Sequence, residues 1–436
     1  MEKSVGQVTE EAYKFYGAYV NTSRSLPRLD GLKVSVARLL YVLINKPKGV
    51  WQHSLDAISE MSRYHPHGLD FANLTASHFV RSGVLDGSGS FGYISLSGVK
   101  YEPAAPRYTS IKLSDLYCDA LKDLVNDEYI KFHESPQGAM EPDYIPFPIP
   151  FALFLKIQTT GLGVGIRTQV PSFSPSSLFK AFMKDDPNLL EPSVDLILDK
   201  KHSELKKLWT TGKGKVAYCY KISRQKSPDG KTEGIMFESN DMCSSEIFVP
   251  KLSKFDTLVE TGKVYIEDLT NSEEGLKLFV GRVPGARGIT VDDIEKIAKK
   301  VCYSSIEYNT WVTDGTQAFR IPIRDWIKFT YERYIDLLKS VNEKKIEKVE
   351  FNIAVQQALS IISDYIINKN PKATDKEIVK NLGIPEEVVE SVMSKPISYL
   401  RNNKDTKDRV KGLKDKLKEL KSFDPIAFTE NLIMKI

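Results

Sequence analysis

The segment Pro103-Ala104-Ala105-Pro106-Arg107-Tyr108-Thr109-Ser110-Ile111-Lys112 contains the dipeptide on which the interpretation of this sequence depends. A tyrosine oxygen is a usable nucleophile when a neighbouring group helps it to carry charge. An adjacent guanidinium can do so while also binding a phosphate. The chain holds 20 tyrosines, so Tyr108 would be uninformative by itself. The residues that precede Arg107-Tyr108 give the pair its meaning.

Two motifs lie shortly upstream of this pair. Tyr64-His65-Pro66-His67-Gly68 places two imidazoles two positions apart on a predicted turn. They could ligate zinc, but the sequence offers no further ligand nearby, and a capping or core histidine is the ordinary alternative. Asp86-Gly87-Ser88-Gly89-Ser90-Phe91-Gly92 could pass for a phosphate-binding loop. Because neither Lys-Ser/Thr nor a predicted helix follows it, a nucleotide-binding P-loop is disfavoured.

Composition narrows the classes of protein. With 436 residues, of which 41% are hydrophobic and 27% charged, the chain is long enough for two or three globular domains. It shows neither an apolar run of transmembrane length nor an apolar N-terminal signal, so we expect a cytoplasmic protein with no membrane partner. The four cysteines are far apart, which predicts free thiols. A net charge of +4 does not by itself indicate nucleic-acid binding.

Hydrophobic periodicity predicts helices over about residues 10–20, 32–44 and 111–124. Residues 86–98 are too small and polar for a helix and predict a loop or hairpin. After residue 176, strand-like runs are interspersed with helices up to about residue 315, which indicates a separate α+β domain. The strand-like runs lie at 214–222, 247–249 and 276–283.

The last part of the chain carries two heptad patterns. The first comprises Ile327, Tyr331, Tyr334, Leu338 and Val341, and the second comprises Val410, Leu413, Leu417 and Leu420. Separated by a small helical unit over 350–400, they predict an antiparallel coiled coil with a knob at its tip. Two ordinary amphipathic surface helices are the alternative.

A basic segment precedes and enters the predicted helix over 32–44. It contains Arg24, Lys33 and Arg38, and a turn that delivers basic side chains to a helix start suits contacts to phosphates, which position a duplex without reading its sequence. A solvated basic loop is the alternative, and charge alone would favour it.

Taken together and in this order, the motifs resemble the DNA-cleaving core of type IIA topoisomerases, the family of the gyrase A and topoisomerase IV A subunits. Arg24, Lys33 and Arg38 match the family's Arg-Ala-Leu-Pro…Asp-Gly-Leu-Lys-Pro-Val block, whose basic residues contact the DNA backbone. The sequence departs from that block at Val34, Val36 and Ala37. Pro103 to Thr109 is similar to the family's Ala-Ala-Met-Arg-Tyr-Thr, with Pro106 in place of methionine.

The resemblance implies roles for these residues. Tyr108 would attack a backbone phosphate and form a 5′-phosphotyrosyl link, while Arg107 and His67 would stabilise charge on the phosphoryl oxygens. His65 lies in the same turn and would contact DNA. The turn at Thr160 to Pro171 resembles a family segment in which an apolar residue wedges between base pairs, here Leu162.

The resemblance also implies an architecture. We expect a multidomain α+β chain. The basic turn at Lys213 and Lys215 resembles a turn of the family's tower domain, and it would touch the flanking DNA. The expected domains are an N-terminal arm (1–30), a winged-helix, CAP-like domain with the tyrosine (31–172), an α/β tower domain (173–318), an outgoing coiled-coil helix (319–349), a helical C-gate (350–400), and the returning helix with the C-terminus (401–436).

The same resemblance implies partners. These are double-stranded DNA, a second copy of the chain, and a B-type partner carrying the ATPase and the metal-binding TOPRIM domain. Mg²⁺ would be bound mainly by that partner, which would also use the ATP, with no metal site in this chain. No ATPase, TOPRIM or DNA-wrapping domain is recognisable in the sequence. The chain therefore looks most like the medium subunit of T-even-type bacteriophage topoisomerases, located in the host cytoplasm, and a divergent bacterial A subunit lacking its tail is the less favoured alternative.

Two other classes remain open from the residues alone. A tyrosine recombinase fits poorly, because it needs an arginine and His-x-x-Arg well upstream of a late tyrosine. A non-catalytic, dimeric winged-helix protein that shapes DNA would keep the fold and omit the chemistry.

Overall fold

The computed structural model describes most of the chain, in eleven ranges. These are residues 4–65, 69–94, 100–101, 103–135, 137–156, 159–193, 196–239, 249–270, 276–371, 373–395 and 406–436. The chain divides into two compact units, Met1–Tyr334 with Asn431–Ile436, and Ile335–Glu430. The predicted mixed α+β class with a long helix is confirmed. The winged-helix, tower and gate assignments stay predictions.

The α-helices are α1 (Val5–Val20), α2 (Val34–Ile44), α3 (Ser54–Met61), α4 (Leu69–Arg81), α5 (Asp115–Leu121), α6 (Pro175–Lys184), α7 (Leu205–Thr211), α8 (Asp256–Glu260), α9 (Val291–Cys302), α10 (Ile323–Asp364), α11 (Asp375–Leu382), α12 (Glu386–Met393), α13 (Thr406–Lys421) and α14 (Pro425–Lys435). Segments of π-helix lie at Asn21–Ser25 and Tyr365–Lys369.

The strands are β1 (Gln52–His53), β2 (Leu85–Ser88), β3 (Tyr93–Ile94), β4 (Lys100–Tyr101), β5 (Ser110–Leu113), β6 (Phe132–Glu134), β7 (Met140–Pro142), β8 (Thr159–Leu162), β9 (Arg167–Val170), β10 (Leu196–Asp199), β11 (Lys213–Lys226), β12 (Glu233–Ser239), β13 (Val264–Asp268), β14 (Leu276–Arg282), β15 (Tyr303–Asn309), β16 (Trp311–Thr313) and β17 (Ala318–Arg320).

The segment with Arg107-Tyr108 leads into the centre of a small sheet. Its order is β1-β5-β2, and Ser110 in β5 pairs with His53 on one side and Ser88 on the other. Helices α2, α3 and α4 pack against one another beside it. Apolar side chains from all three helices are buried there, including Leu40, Ile58 and Phe79. The tyrosine therefore lies two residues before a central strand.

The helix predicted over 111–124 is only partly present. Residues 110–113 form β5, and the helix begins at Asp115, after Ser114 in extended conformation. Ile111 and Leu113 are buried and alternate with Lys112, which is the period-2 pattern of a strand. Four residues are too few for periodicity to separate a strand from the first turn of a helix.

The larger sheet has the order β13-β14-β12-β11-β15-β9-β8, with β10 also paired to β11. Helix α9 covers it, starting at a capping box between Thr290 and Asp293. Ile294, Ala298 and Val301 recur at intervals of four and three residues and pack on the apolar face of the sheet. The predicted strands at 214–222 and 276–283 correspond to β11 and β14, while residues 247–248 lie outside the described part of the chain.

Helix α10 contains the first heptad pattern, and its first turns pack on other parts of the first unit. Tyr331 packs on the rings of Phe179 and Phe182, and the Tyr334 hydroxyl donates to the carbonyl of Ala120, 3.1 Å away. Those turns therefore contribute to the core of the first unit. The coiled coil expected over 319–349 stays a prediction.

The second unit has a core of its own. Val355, Leu359 and Ile362 of α10 pack against Ile378 of α11 and Val389 of α12. Elsewhere in this unit, α13 contacts α10, since the side-chain amide of Asn342 donates to the carbonyl of Leu420 at 3.0 Å. The four heptad positions of α13 are half-buried while the residues between them are exposed.

Among the described residues, we find no helix that combines the length and the apolar character needed to span a bilayer.

Candidate functional site

Tyr108 ends a single turn of 3₁₀ helix, Pro106–Tyr108. Proline at the first position favours this turn because its φ is already helical. The N–H that proline lacks would have no acceptor within the turn, so no hydrogen bond is lost. The Tyr108 N–H donates to the carbonyl of Ala105, 2.8 Å away. Upstream, the Ala104 N–H donates to the Ser90 carbonyl at 3.0 Å, and the Asn73 side chain donates to the Ala104 carbonyl at 3.2 Å. The chain is therefore fixed on the N-terminal side of the tyrosine.

Thr109 fixes the other side. Its hydroxyl donates to the Ser54 hydroxyl at 2.7 Å, and its carbonyl accepts the Ser54 N–H at 2.9 Å. Both residues are almost completely buried. Ser54 is the first residue of α3, so these bonds also use a backbone N–H that no turn of the helix could satisfy.

Gly89 allows the glycine-rich strand end to approach Tyr108 closely. Its φ is +106°, and a Cβ built on it would lie 3.0 Å from the Tyr108 carbonyl oxygen and 3.0 Å from Cγ2 of Thr109. A side chain at this position would be strained and would press on the tyrosine segment. The predicted glycine-rich loop is thus part of the support beneath the tyrosine.

The tyrosine itself projects into solvent. The side chain of Tyr108 is 68% exposed although the backbone on both sides is bonded to the core. The Arg107 guanidinium carbon lies 4.6 Å from the centre of the Tyr108 ring, within the range of a cation–π contact. A phenol and a guanidinium are therefore presented together on a firmly anchored turn.

Of the two histidines in the predicted turn, His65 lies within the described residues. His67 lies outside the described residues, so its role stays a prediction. His65 is described, and its Nδ1 lies 2.9 Å from Nη1 of Arg38. His65 is half-buried.

Arg38 is not on the surface. Its Nε and Nη2 donate to the two carboxylate oxygens of Glu141 at 2.7 and 2.6 Å, and only 10% of its side chain is exposed. A two-pronged pair of this kind between buried groups is a strong, directional contact. Three nitrogens of the guanidinium already have acceptors within the protein, so the geometry does not supply the phosphate contact expected for Arg38, which stays a prediction.

Arg24 and Leu162 belong to one local structure. Leu162 ends β8 at the tip of a hairpin and is 80% exposed. The π-helical segment that contains Arg24 supports this tip. In it, the Ser25 hydroxyl donates to the Leu162 carbonyl at 3.0 Å, and Asn21 bonds both backbone groups of Val164 at 2.8 and 3.1 Å. The exposed Arg24 guanidinium lies 5.7 Å from the centre of the Tyr19 ring.

Gly161 explains how close this support is. A Cβ at Gly161 would lie 1.9 Å from the carbonyl oxygen of Ser25, so no other residue fits without moving backbone. The hairpin and the π-helical segment are therefore packed together, and each carries an exposed side chain, Leu162 on the hairpin and Arg24 on the π-helical segment.

The remaining predicted basic residues differ in their surroundings. Lys33 is half-buried at the start of α2, and burial lowers its pKa from the usual 10.5. Lys213 pairs with Glu307 at 3.0 Å, whereas the side chain of Lys215 is exposed on the same strand. Their proposed DNA contacts stay predictions.

A cavity of about 860 Å³ brings several of these residues together. Its lining includes Arg24, Arg38 and His65, and on the facing hairpin β6–β7 it includes His133 and Glu141. Sequence reasoning had singled out the first three but neither of the last two. The stretch Glu141-Pro142-Asp143 belongs to no recognisable motif, so the sequence does not indicate that Glu141 lines this cavity.

The donor groups do not suit a metal ion. Within the described ranges, no group of three or more histidine, cysteine, aspartate or glutamate side chains is arranged to hold one. The residues described around Tyr108 thus do not fit a Mg²⁺ site.

Comparisons with known proteins agree on one family. The model for the family of DNA gyrase and topoisomerase IV A subunits matches residues 24–435. The DNA gyrase A subunit of Brachyspira hyodysenteriae is 22% identical over an alignment that covers 99% of this chain and 54% of that protein. The DNA gyrase A subunits of Staphylococcus epidermidis and Staphylococcus aureus are each 24% identical, over 64% of this chain and 33% of theirs. The chain thus spans about half the length of the first relative.

Proposed function

This chain belongs to the family of DNA gyrase and topoisomerase IV A subunits, and from that premise we propose that it is the DNA-cleavage and religation subunit of an ATP-dependent type IIA topoisomerase. The family match supports the proposal for almost the whole chain, including the segment with Tyr108. The proposed activity is a transient double-strand break through which a second duplex passes, giving relaxation or decatenation.

One observation carries the assignment of the nucleophile. Tyr108 is exposed, anchored on both sides, and accompanied by the Arg107 guanidinium at 4.6 Å from its ring. A structural tyrosine would bury its ring and satisfy its hydroxyl internally, as Tyr334 does. An accessible phenol on a fixed backbone is what a nucleophile for a large, stiff substrate needs.

In the proposed step, the Tyr108 oxygen bonds to the phosphorus of a backbone phosphate while the bond from that phosphorus to the 3′ oxygen breaks. The phenol loses its proton and the departing 3′ oxygen gains one, which leaves the 5′ phosphate on the tyrosine. One phosphodiester replaces another, so the 3′ hydroxyl can attack in reverse and reseal the strand. Arg107 would stabilise the charge on the phosphoryl oxygens, as would His67.

Residues beyond the tyrosine would position the duplex. We propose that Arg24, Lys33 and His65 contact its backbone near the cleavage point, and that Lys213 and Lys215 reach a flanking arm. The exposed Leu162 would insert between base pairs and bend the duplex, because an apolar side chain held at a hairpin tip can unstack a base step. The shared support of Arg24 and Leu162 favours their acting on one stretch of DNA.

The assembly is proposed on the same basis. Two copies would cut opposite strands as a homodimer, together with a B-type partner that supplies the ATPase and binds Mg²⁺ in its TOPRIM domain. Residues 31–172 would form the winged-helix domain, 173–318 the tower, and 350–400 the gate at the end of the coiled coil. A bacteriophage medium subunit is the proposed member type.

The test combines the purified chain with a B-type partner, Mg²⁺ and supercoiled plasmid, followed by a detergent quench. We expect double-strand breaks with protein attached to the 5′ ends, and none with Tyr108→Phe, which keeps the ring but removes the nucleophile. Breaks that persist in Tyr108→Phe, or no breaks with the wild-type chain, would overturn the proposal.

The same assay separates the alternatives. Attachment at the 3′ end would indicate recombinase chemistry. DNA bending without any covalent complex, in wild type and Tyr108→Phe alike, would indicate a protein that only shapes DNA.

A further inference from the structure

We infer that Glu141 is a positioning residue, which acts through Arg38 to fix the orientation and the tautomer of His65, one of the residues proposed above to contact the DNA backbone. The inference rests on the proposed function. It gives Arg38 a role within the protein, while the phosphate contact expected from its sequence stays a prediction.

The first link is the pair between Glu141 and Arg38. Two nitrogens of the guanidinium meet the two carboxylate oxygens at 2.7 and 2.6 Å, and the side chains are only 5% and 10% exposed. This fork-to-fork geometry fixes the plane of the guanidinium, not only its distance. The third nitrogen, Nη1, is thereby aimed in one direction.

The second link is the contact from that nitrogen to His65. Nη1 lies 2.9 Å from Nδ1 of the imidazole. A guanidinium has only donors and stays protonated, so Nδ1 must be the acceptor and must lack a proton. The imidazole proton then belongs to Nε2, which makes that nitrogen the donor of His65. In the sequence, His65 belongs to the same predicted turn as His67, and a donor nitrogen is what a phosphate oxygen accepts from.

The third link holds Glu141 itself in place. Glu141 lies in β7 directly opposite His133 in β6, and Nε2 of His133 is 3.2 Å from the same carboxylate. Nδ1 of His133 is 2.6 Å from the carboxylate of Asp143. The hairpin β6–β7 thus fixes the carboxylate, the carboxylate fixes Arg38, and Arg38 fixes His65.

Glu141→Gln tests the chain of contacts. The amide keeps the shape but removes the charge and one acceptor, so the guanidinium loses its fixed plane. We expect the rate of cleavage by the assembled enzyme to fall by about tenfold or more, because a histidine in the wrong tautomer no longer presents its donor. Binding of a short duplex, measured by fluorescence anisotropy, should change less than about twofold. Asp119→Asn is the matched control, since Asp119 forms an exposed pair with Lys48 at 2.6 Å, and it should leave both cleavage and binding unchanged.

A double-mutant cycle separates positioning from general destabilisation. If Glu141 acts through His65, Glu141→Gln should cause little further loss in a His65→Gln background. A merely structural role would lower activity by the same factor in both backgrounds. Glu141→Asp, which restores the charge, should recover part of the wild-type rate.

The tautomer offers a readout that does not require activity. The chain has six histidines, so ring-labelled histidine gives few NMR signals, and His65→Gln identifies the one of interest. We expect an Nε2-protonated ring in wild type and a mixture of tautomers in Glu141→Gln. An Nδ1-protonated ring in wild type would overturn the inference. So would full activity of Glu141→Gln in an enzyme whose wild type cleaves, whereas a wild type that does not cleave would instead overturn the proposed function.

Discussion

The hydroxyls of Ser54 and Thr109 lie 2.7 Å apart in the core, directly after the exposed Tyr108. This contact ties the end of the tyrosine turn to the first residue of α3. It is reinforced by the Ser54 N–H, which donates to the Thr109 carbonyl at 2.9 Å. The exposed side chain of Tyr108 is therefore held in place by a buried neighbour, Thr109.

Thr109→Val should destabilise the chain, because it leaves the buried Ser54 hydroxyl without its donor. An unsatisfied buried polar group costs about 1–3 kcal/mol, and denaturant unfolding would measure the loss. Adding Ser54→Ala should recover most of it, since apolar groups then replace both partners. Recovery of stability without recovery of cleavage would show that the tie also aligns Tyr108. A double variant no more stable than the single one would contradict the assigned hydrogen bond.

Gly89→Ala should impair cleavage more than it impairs stability. The new Cβ would meet the Tyr108 carbonyl at 3.0 Å, and the φ of +106° is one that alanine rarely adopts. Strain of this kind costs about 1–3 kcal/mol. Gly83→Ala is the control, since Gly83 also has a positive φ, +73°, but open space around its Cβ. Equal loss of cleavage in the two variants would argue against contact with the tyrosine segment.

Leu162→Ala should leave stability within about 0.5 kcal/mol of wild type, because the side chain is exposed. DNA bending, measured by energy transfer between dyes at the ends of a duplex, should fall together with cleavage. Ile197→Ala removes another exposed apolar side chain, 59% accessible, and should change neither. Unchanged bending by Leu162→Ala would remove the wedge from the mechanism.

Lys33→Met should weaken DNA binding evenly across sequences and reduce the salt dependence of binding by about one ion. Affinity measured over a range of salt concentrations tests this, and an unchanged slope would rule out a phosphate contact. The variant should be at least as stable as wild type, because burial disfavours the charged form of Lys33.

The pH dependence of that stability difference has a defined sign. Folding lowers the pKa of Lys33 below its usual 10.5, so the unfolded chain binds more protons between the folded value and 10.5. The free energy of unfolding contributed by this group therefore rises with pH across that interval. The advantage of Lys33→Met over wild type should shrink as the pH approaches 10.5, which paired urea titrations would detect.

Local pattern predicted much of the fold. The strand-like runs at 214–222 and 276–283 correspond to β11 and β14. The half-buried positions of α13 are the heptad positions, because burial on one face of a helix gives the sequence a periodic pattern. The prediction of a helix over 111–113 was wrong because a four-residue strand is too short to show a clear period. The first heptad pattern does not by itself identify the partner of α10. Tyr331 and Tyr334 pack into the first unit, but spacing does not say whether the partner is a helix or a globular core.

The site was less accessible to sequence reasoning. Tyr108 and Arg107 carry a local motif, whereas the groups that support them come from distant segments. Ser54 is 55 residues from Thr109 and Glu141 is 103 from Arg38, so only the fold joins them. Arg38 illustrates the same limit, because no motif in the sequence indicates that its guanidinium pairs with the buried carboxylate of Glu141. The phosphate contact predicted for Arg38 stays a prediction.

The anchoring of Tyr108 on both sides has a mechanical consequence. Because Ala104 is bonded to Ser90, Thr109 to Ser54 of α3, and Ser110 to β2, the tyrosine between them moves independently mainly through its own side-chain rotations. A DNA strand end attached to this tyrosine would move together with the first unit as one rigid body. If two copies of the chain separated and came back together, the two DNA ends would return to their original alignment, because each fold would hold its end in a fixed position.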